Sequence, residues 1–197
     1  MFTGIVQAIG EVRSIVRHAA DVELLIGASG LDLKSVAIGD SICVGGCCLT
    51  VTRLEGDAFA VDASLETLNV TTLGEWRVGQ RVNLEKALCA GQPLGGHYVT
   101  GHVDGVGRVA RSAEDGRSLR VEFEVPQPLA RYVARKGSIC VDGVSLTVNE
   151  VEDTCFGVNL IPHTLQVTTL GACRPGTRVN LEVDIIARYL ERLAQPT

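Results

Sequence analysis

The stretch Ser-Ile-Cys-Val-Gly-Gly-Cys-Cys-Leu-Thr-Val at residues 41–51 returns 97 residues later as Ser-Ile-Cys-Val-Asp-Gly-Val-Ser-Leu-Thr-Val at residues 138–148. The same offset, with no gap, relates three further pairs of segments: Thr3–Val6 with Thr100–Val103, Thr67–Gly74 with Thr164–Gly171, and Gly79–Glu85 with Gly176–Glu182. A repeat this long, present twice, indicates two homologous domains rather than a solenoid of short units.

Each copy is rich in short Val, Ile, Thr and Leu runs separated by Gly, Asp and Pro, a pattern typical of antiparallel β-structure. The strands predicted in the first copy are Ile5–Ile9, Val22–Ile26, Ser41–Val44, Leu49–Leu54, Phe59–Val61 and Val82–Leu84. Two short helices are predicted at Leu65–Thr71 and Leu129–Ala134. About six strands without a long crossover helix hide their edges best by closing into a barrel.

The predicted fold is therefore all-β, with two tandem six-stranded antiparallel Greek-key barrels and a C-terminal α-helix. The barrels are expected at residues 1–97 and 98–184, with Gly91–Gly96 as the hinge between them. Residues 185–197 are predicted to form the helix, with an apolar stripe made by Ile185, Ile186, Tyr189, Leu190 and Leu193. Because this helix lies outside both barrels, its stripe needs a partner surface, which predicts a homo-oligomer.

Composition excludes several classes of function. The chain has 197 residues, 4% of them aromatic, and a net charge of −5, so it offers neither a basic surface nor stacking aromatics to nucleic acid. No apolar run is long enough for a membrane span, and the first residues lack the basic region of a signal peptide. The seven cysteines are odd in number and show no metal-ligand spacing. A cytoplasmic location and no metal site are expected.

Differences between the copies are more informative about function than their similarities, because a shared fold explains the shared residues. Three matched positions differ in chemistry: Ile5 corresponds to His102, Cys48 to Ser145, and Ala87 to Asp184. A thiol in one copy thus corresponds to a hydroxyl in the other, and a titratable His and Asp occur only in the second. The two copies are predicted to be chemically unequal.

Four motifs together resemble the riboflavin synthase family of tandem lumazine-binding barrels. They are Met1–Val6, the pair Gly46–Val51 and Gly143–Val148, the segment Gly95–Val103, and Ile161–Thr164. The resemblance extends from Met1 to about Asp184. It implies a dismutation in which two molecules of 6,7-dimethyl-8-ribityllumazine exchange a four-carbon unit, giving riboflavin and 5-amino-6-ribitylaminouracil. It also implies that no cofactor is needed, and that a homotrimer forms its sites between the N-terminal barrel of one subunit and the C-terminal barrel of another.

The resemblance assigns substrate-binding residues to both barrels. For the first barrel it implies Gly4, Ile5, Val6, Cys48, Leu49, Thr50, Asp62, Ala63, Ser64, Leu65, Glu66 and Thr67. For the second it implies Gly101, His102, Val103, Ser145, Leu146, Thr147, Ile161, Pro162, His163, Thr164, Leu165 and Gln166, with Lys136 and His97 nearby. Phe2 and Thr3 resemble an N-terminal segment that closes over the site; from its residue type alone, Phe2 is an ordinary buried aromatic.

Five residues are candidates for the chemistry, each with an alternative. His102 suits proton transfer because histidine titrates near neutral pH, or it is a buried His bonded to a carbonyl. Cys48 is a nucleophile, positions a water, or lines an apolar pocket in which a thiol is inert. Ser145 and Thr147 bond the ring or the adding water, or cap strand carbonyls. Asp184 is an acid beside the second pocket or a helix N-cap.

Two other functions are compatible with small tandem barrels. One is a non-catalytic lumazine- or flavin-binding protein of the antenna type, which would need only one intact pocket, whereas both copies here keep their Gly and Thr signatures. The other is an oligonucleotide-binding tandem, which the acidic, aromatic-poor composition disfavours.

Overall fold

The computed structural model describes residues 1–19 and 21–195. The first barrel consists of six antiparallel strands and one short helix. They are β1 (Ala8–Arg17), β2 (Asp21–Gly27), β3 (Ser41–Val44), β4 (Cys47–Glu55), β5 (Ala58–Ser64), α1 (Leu65–Val70) and β6 (Arg81–Lys86). The strand order is β1-β2-β5-β4-β3-β6, and β6 pairs back with β1 to close the barrel. Because β2 lies beside β5 rather than β3, the connection is a Greek key.

The second barrel repeats this order with one strand divided in two. Its elements are β7 (Gly105–Asp115), β8 (Ser118–Glu124), α2 (Gln127–Ala130), β9 (Ser138–Val141), β10 (Val144–Thr147), β11 (Glu150–Glu152), β12 (Cys155–Leu160), α3 (Pro162–Val167) and β13 (Arg178–Val183). The hydrogen-bonded order is β10-β9-β13-β7-β8-β12-β11; unlike the first barrel, this seven-stranded sheet is not closed by hydrogen bonds between its end strands. β10 and β11 match the two parts of β4, whose pairing with β5 is itself shifted between Val51 and Arg53. The all-β tandem fold predicted from the duplication is confirmed.

Two predicted elements differ from the structure. β1 begins at Ala8 rather than Ile5, because residues 3–6 leave the barrel to contact the other one. The helix predicted at Leu129–Ala134 is reduced to α2, which ends at Ala130; beyond it the chain makes single turn bonds and directs Val133 into the second core.

The two barrels meet across an approximate two-fold axis. Asn83 donates from Nδ2 to the Asp142 carbonyl at 2.8 Å and accepts from the Thr169 amide at 2.8 Å. Asn180, its counterpart, makes the reciprocal bonds to the Gly45 carbonyl and the Thr72 amide, each at 2.7 Å. A small apolar core lies beside them, formed by the matched pairs Phe2 with Val99 and Cys43 with Cys140. Both asparagines are buried, and the Nδ2 and Oδ1 atoms of each bond to the other barrel, so they fix the relative orientation of the barrels.

The last helix, α4 (Ile185–Ala194), is attached to the second barrel by its polar face. Arg188 pairs with Asp104, and Glu191 pairs with Arg131 and accepts from the Tyr132 hydroxyl. The apolar stripe faces away: Ile186, Tyr189, Leu190 and Leu193 are 53–82% exposed. Pro196 and Thr197, which were included in the predicted helical segment, lie outside the described residues. None of the helices within the described ranges has the length and apolar character needed to cross a membrane.

Candidate functional site

In each barrel the candidate site lies where two neighbouring strands stop pairing. β4 and β5 are paired from Glu55 with Ala58 up to Val51 with Val61, and no further. Residues 48–50 therefore pair only with β3, while residues 62–64 continue along β2 and lead into α1. In the second barrel, pairing of β11 with β12 ends at Glu150 with Gly157, before residues 145–147 and 161–166. We call the opening between these strand ends, beside the short helix that follows, a recess.

The segments that complete these recesses are exchanged between the barrels, which corrects the predicted grouping. The Ser145 amide donates to the Gly4 carbonyl at 2.8 Å, so Gly4–Val6 of the first copy lies on the second barrel. The Cys48 amide donates to the Gly101 carbonyl at 2.8 Å, so Gly101–Val103 of the second copy lies on the first barrel. Val6 packs against the second core and Val103 against the first. The exchange occurs because both segments precede their barrels and pass through the interface.

We therefore define two pockets. The first pocket comprises residues 48–50, 62–67 and 101–103. The second pocket comprises residues 145–147, 161–166 and 4–6, together with Lys136 and His97. Glycine is required where each segment meets the strand: a Cβ on Gly101 would lie 2.5 Å from the Cys48 Cβ, and one on Gly4 would lie 2.6 Å from the Ser145 Cβ. Both glycines also have positive φ, +79° and +76°.

A buried glutamate holds each exchanged segment. Glu85 accepts from the Thr3 amide and hydroxyl, at 2.7 and 2.6 Å, and from the Gly4 amide at 2.9 Å. Glu182 makes the equivalent three bonds to Thr100 and Gly101. Burial raises the pKa of both carboxyl groups, and these hydrogen bonds oppose the shift. Sequence reasoning missed both residues, although each ends the duplicated Gly-x-Arg-Val-Asn-Leu-Glu motif on an otherwise buried strand.

The second pocket contains a histidine–serine pair that the first pocket lacks. His97 is 8% exposed, and its Nδ1 lies 2.7 Å from the Ser145 Oγ. Burial lowers the pKa of His97, and the charge of Asp184 acts in the opposite direction. The imidazole is therefore neutral at neutral pH and can accept the serine proton in one tautomer. His97 was predicted only as a polar neighbour of this pocket; its contact with Ser145 is a tertiary feature.

His102, the predicted proton-transfer residue, is exposed. Its amide donates to the Thr100 hydroxyl at 3.3 Å, and the residue lines a cleft of about 270 Å³ with Asp104 and Arg188. Cys48 is half-buried, whereas Thr50, in the middle of β4, and Thr147, the last residue of β10, are exposed. Leu49 and Leu146, which alternate with them, point into the two cores.

Three predicted site residues have structural roles in this fold. Phe2 is completely buried between the barrels, with its amide bonded to the Val99 carbonyl at 2.7 Å, and Thr3 is bonded to Glu85. Both residues are therefore held at the interface between the barrels, and their role as a segment that closes over the site stays a prediction. Asp184 caps α4, accepting from the Ile186 amide at 3.0 Å, so the N-cap alternative is confirmed.

The remaining candidates surround the recesses. Ser64 caps α1 through the Thr67 amide, while Asp62, Leu65 and Glu66 are exposed beside it and Ala63 is buried. In the second barrel, Ile161 and Pro162 begin α3, His163 and Gln166 are exposed, and Thr164 and Leu165 are half-buried. Lys136 has φ +66° where the first copy has Gly39, a conformation costly for a residue with a Cβ. The Lys136 amide is bonded to the Val148 carbonyl at 2.8 Å, and its predicted place near the second pocket stays a prediction.

A cavity of about 890 Å³ forms a polar groove between the barrels and is lined by Trp76, Asp142 and Arg178 among others. It borders the second pocket at Leu165 and Gln166, and its other lining residues belong to neither pocket. Within residues 1–19 and 21–195, no three His, Cys, Asp or Glu side chains are grouped as metal ligands.

Comparison with known proteins defines the class. A family profile described as "Lumazine binding domain" matches residues 3–87 and again residues 100–184. The fold is similar to the structure of LumP complexed with riboflavin, with a TM-score of 0.85 and 34% identity, covering 93% of this chain and 99% of that one. LumP complexed with 6,7-dimethyl-8-(1'-D-ribityl) lumazine gives a TM-score of 0.84 at 32% identity, with the same coverage. Two matched barrels with two pockets thus define a tandem lumazine-binding protein.

Relatives that match over nearly the whole chain identify the family within this class. The chain is 46% identical over 203 residues to the riboflavin synthase of Mycobacterium tuberculosis strain H37Rv, covering 98% of both chains. It is 45% identical over 193 residues to the riboflavin synthase of Photobacterium phosphoreum, covering 98% of this chain and 88% of that protein. The riboflavin synthase of Bacillus subtilis is 38% identical over 192 residues, covering 98% of this chain and 89% of the relative. The chain belongs to the riboflavin synthase family.

Proposed function

We propose that this chain is a transferase that converts two molecules of 6,7-dimethyl-8-ribityllumazine into riboflavin and 5-amino-6-ribitylaminouracil. The observation that supports this most strongly is that the two sets of pocket residues have equivalent hydrogen-bonded frames and unequal side-chain chemistry. A dismutation of two identical molecules needs one to give four carbons and the other to accept them, and two unequal pockets bind them in those different roles. Holding both lumazine molecules in a fixed geometry also lowers the entropic cost of bringing them together for the reaction.

Proton transfer is the step for which the chain has identifiable groups. One lumazine must lose a proton from its 7-methyl group, and the other must be attacked on its ring. We assign proton transfer in the second pocket to Ser145 and its neutral partner His97, with Thr147 on the same face of the strand. Asp184 acts on His97 through its charge. In the first pocket we assign His102 to proton transfer and Cys48 to the pocket wall.

The proposal includes an assembly and a location. An exposed apolar stripe on α4, attached by its opposite face, supports association through this helix into a homotrimer. The first pocket of one subunit then faces the second pocket of another, with residues 1–97 and 98–184 as the lumazine-binding units. Seven free cysteines, four of them buried, support a reducing, cytoplasmic location.

The activity is tested with purified protein, treated with EDTA, mixed with 6,7-dimethyl-8-ribityllumazine in the absence of oxygen. We expect one riboflavin for every two lumazines consumed, followed by absorbance and chromatography. Tight binding with a change in lumazine fluorescence but no consumption would instead support the alternative function, a non-catalytic lumazine- or flavin-binding protein.

The role of α4 is tested by the double change Leu190→Glu and Leu193→Glu, two residues that are 63% and 82% exposed. Two charges on the stripe prevent its burial against another copy, so we expect trimers to become monomers in sedimentation velocity, with loss of turnover. Arg192→Glu on the same helix is the control, because it changes charge off the stripe. A double variant that sediments as wild type contradicts this assembly.

A further inference from the structure

We propose that Glu85 and Glu182 are positioning residues that act across the barrels: each orders the pocket of the barrel to which it does not belong. The pockets are those of the proposed function, so the role in catalysis rests on that proposal, whereas the mechanical coupling does not. Glu85 lies on β6 of the first barrel but holds the segment that completes the second pocket. Glu182 lies on β13 of the second barrel and holds the segment that completes the first.

A continuous chain of hydrogen bonds carries the effect of Glu85. Its carboxylate binds the Thr3 amide and hydroxyl and the Gly4 amide, at 2.6–2.9 Å. The Thr3 hydroxyl, held in this way, accepts from the Ile5 amide at 3.1 Å. The Gly4 carbonyl, on the other side of the same peptide turn, accepts from the Ser145 amide at 2.8 Å. Glu85 thereby determines where the backbone of the second pocket's serine is anchored.

Glu182 is linked to the first pocket by the same pattern. It binds Thr100 and Gly101 at 2.6–2.9 Å, and the Thr100 hydroxyl accepts from the His102 amide at 3.3 Å. The Gly101 carbonyl accepts from the Cys48 amide at 2.8 Å. Each hydrogen bond of the Glu85 pattern has an equivalent in the Glu182 pattern. We call each glutamate with its three hydrogen bonds a clamp, and the two clamps are matched controls for each other.

Only a carboxylate fits both clamps. Each has three N–H or O–H donors directed at its two oxygens, and a glutamine would turn its NH₂ group toward one of these donors. A donor facing a donor in a buried site loses one bond and leaves the amide unsatisfied. Glu85→Gln and Glu182→Gln therefore loosen the exchanged segment while preserving the size of the side chain.

Residue-resolved amide hydrogen exchange of the full-length protein, without ligand, measures the coupling directly. We expect Glu85→Gln to accelerate exchange of the Ser145 amide by about tenfold and to leave the Cys48 amide within about twofold of wild type. Glu182→Gln is expected to do the opposite. Glu55→Gln, an exposed glutamate on β4, is the control and changes neither amide. Equal acceleration at both amides, acceleration only in the variant's own barrel, or no acceleration in either variant overturns the proposal.

Two further measurements keep the test decisive. If either glutamine variant fails to fold, Thr3→Val and Thr100→Val each remove a hydroxyl that donates to the glutamate and accepts from the amide two residues on, while the two amide bonds to the carboxylate stay. These variants are expected to reproduce the crossed pattern at smaller amplitude. With 6,7-dimethyl-8-ribityllumazine added, Glu85→Gln is expected to weaken binding at the second pocket, so that ligand protection is lost at Ser145 and kept at Cys48. A crossed exchange pattern in a protein that makes no riboflavin would sustain the coupling and reject the proposed function.

Discussion

Ser145→Ala is expected to lower kcat by about 10²-fold or more, the usual contribution of a positioned proton-transfer group. The hydroxyl it removes lies 2.7 Å from the His97 Nδ1, in a pocket where that imidazole has no other hydrogen-bond partner in the described chain. Steady-state turnover of 6,7-dimethyl-8-ribityllumazine measures the loss, and equilibrium binding separates it from an effect on affinity. Cys48→Ala, the matched change in the first pocket, is the control and is expected to cost much less.

The pH profile distinguishes a proton-transfer role from a packing role. Burial lowers the pKa of His97 below its ordinary 6.5, so a reaction that needs the neutral imidazole loses rate only as pH falls through that lowered value. His97→Gln is expected to lose turnover, and the fall in rate at low pH is expected to disappear with it.

His102→Gln tests the other assigned histidine: if its turnover and pH profile match wild type, the assignment of proton transfer to His102 is wrong. Likewise, if Ser145→Ala turns over at the wild-type rate, the assignment of proton transfer to Ser145 is wrong.

Gly101→Ala is expected to lower the free energy of unfolding by about 3 kcal/mol, because strain and overlap add. The residue has φ +79°, and a Cβ would lie 2.5 Å from the Cys48 Cβ and 2.7 Å from the Cys48 amide nitrogen. The Cys48 backbone belongs to a paired strand and cannot move aside without breaking the barrel. Chemical denaturation at fixed protein concentration measures the change, since association contributes to apparent stability.

Gly56→Ala is the control for this prediction. It also has positive φ, +62°, but nothing lies within 4 Å of the added Cβ, so only the conformational cost of about 1 kcal/mol is expected. Equal destabilisation by the two substitutions would show that the contact between the Gly101 segment and β4 is not close in solution.

Much of the fold could be predicted because it is encoded locally and twice. The Ser41–Val51 run forms β3 and β4 within one or two residues of the predicted bounds, and its repeat, Ser138–Val148, forms β9 and β10. The spacing of the apolar residues predicts the helix after Asp184, and the aspartate side chain itself predicts the N-cap. Periodicity and capping are properties of neighbouring residues, which a sequence displays directly.

The grouping of residues into pockets could not be predicted in the same way. Gly4 and Gly101 occupy equivalent positions in the repeat, and equivalence assigns each to its own copy, whereas the hydrogen bonds to Ser145 and Cys48 connect each to the other. His97 has no counterpart 97 residues earlier in the chain, because it directly follows the hinge that joins the two copies. Whether such a segment contacts its own barrel or the other barrel depends on long-range pairing, which its local sequence does not indicate.

The exchanged segments have an evolutionary consequence. Two separate copies of one ancestral barrel, related by a true two-fold axis, would present identical pockets, and a change in one would necessarily appear in the other. Joining the copies in a single polypeptide allows them to diverge. Because the segments cross, a change upstream of the second barrel, such as histidine at position 102 in place of isoleucine, alters the surroundings of Cys48 rather than Ser145. Gene fusion followed by drift in these linkers is therefore a route from a symmetric binding protein to a catalyst that distinguishes donor from acceptor.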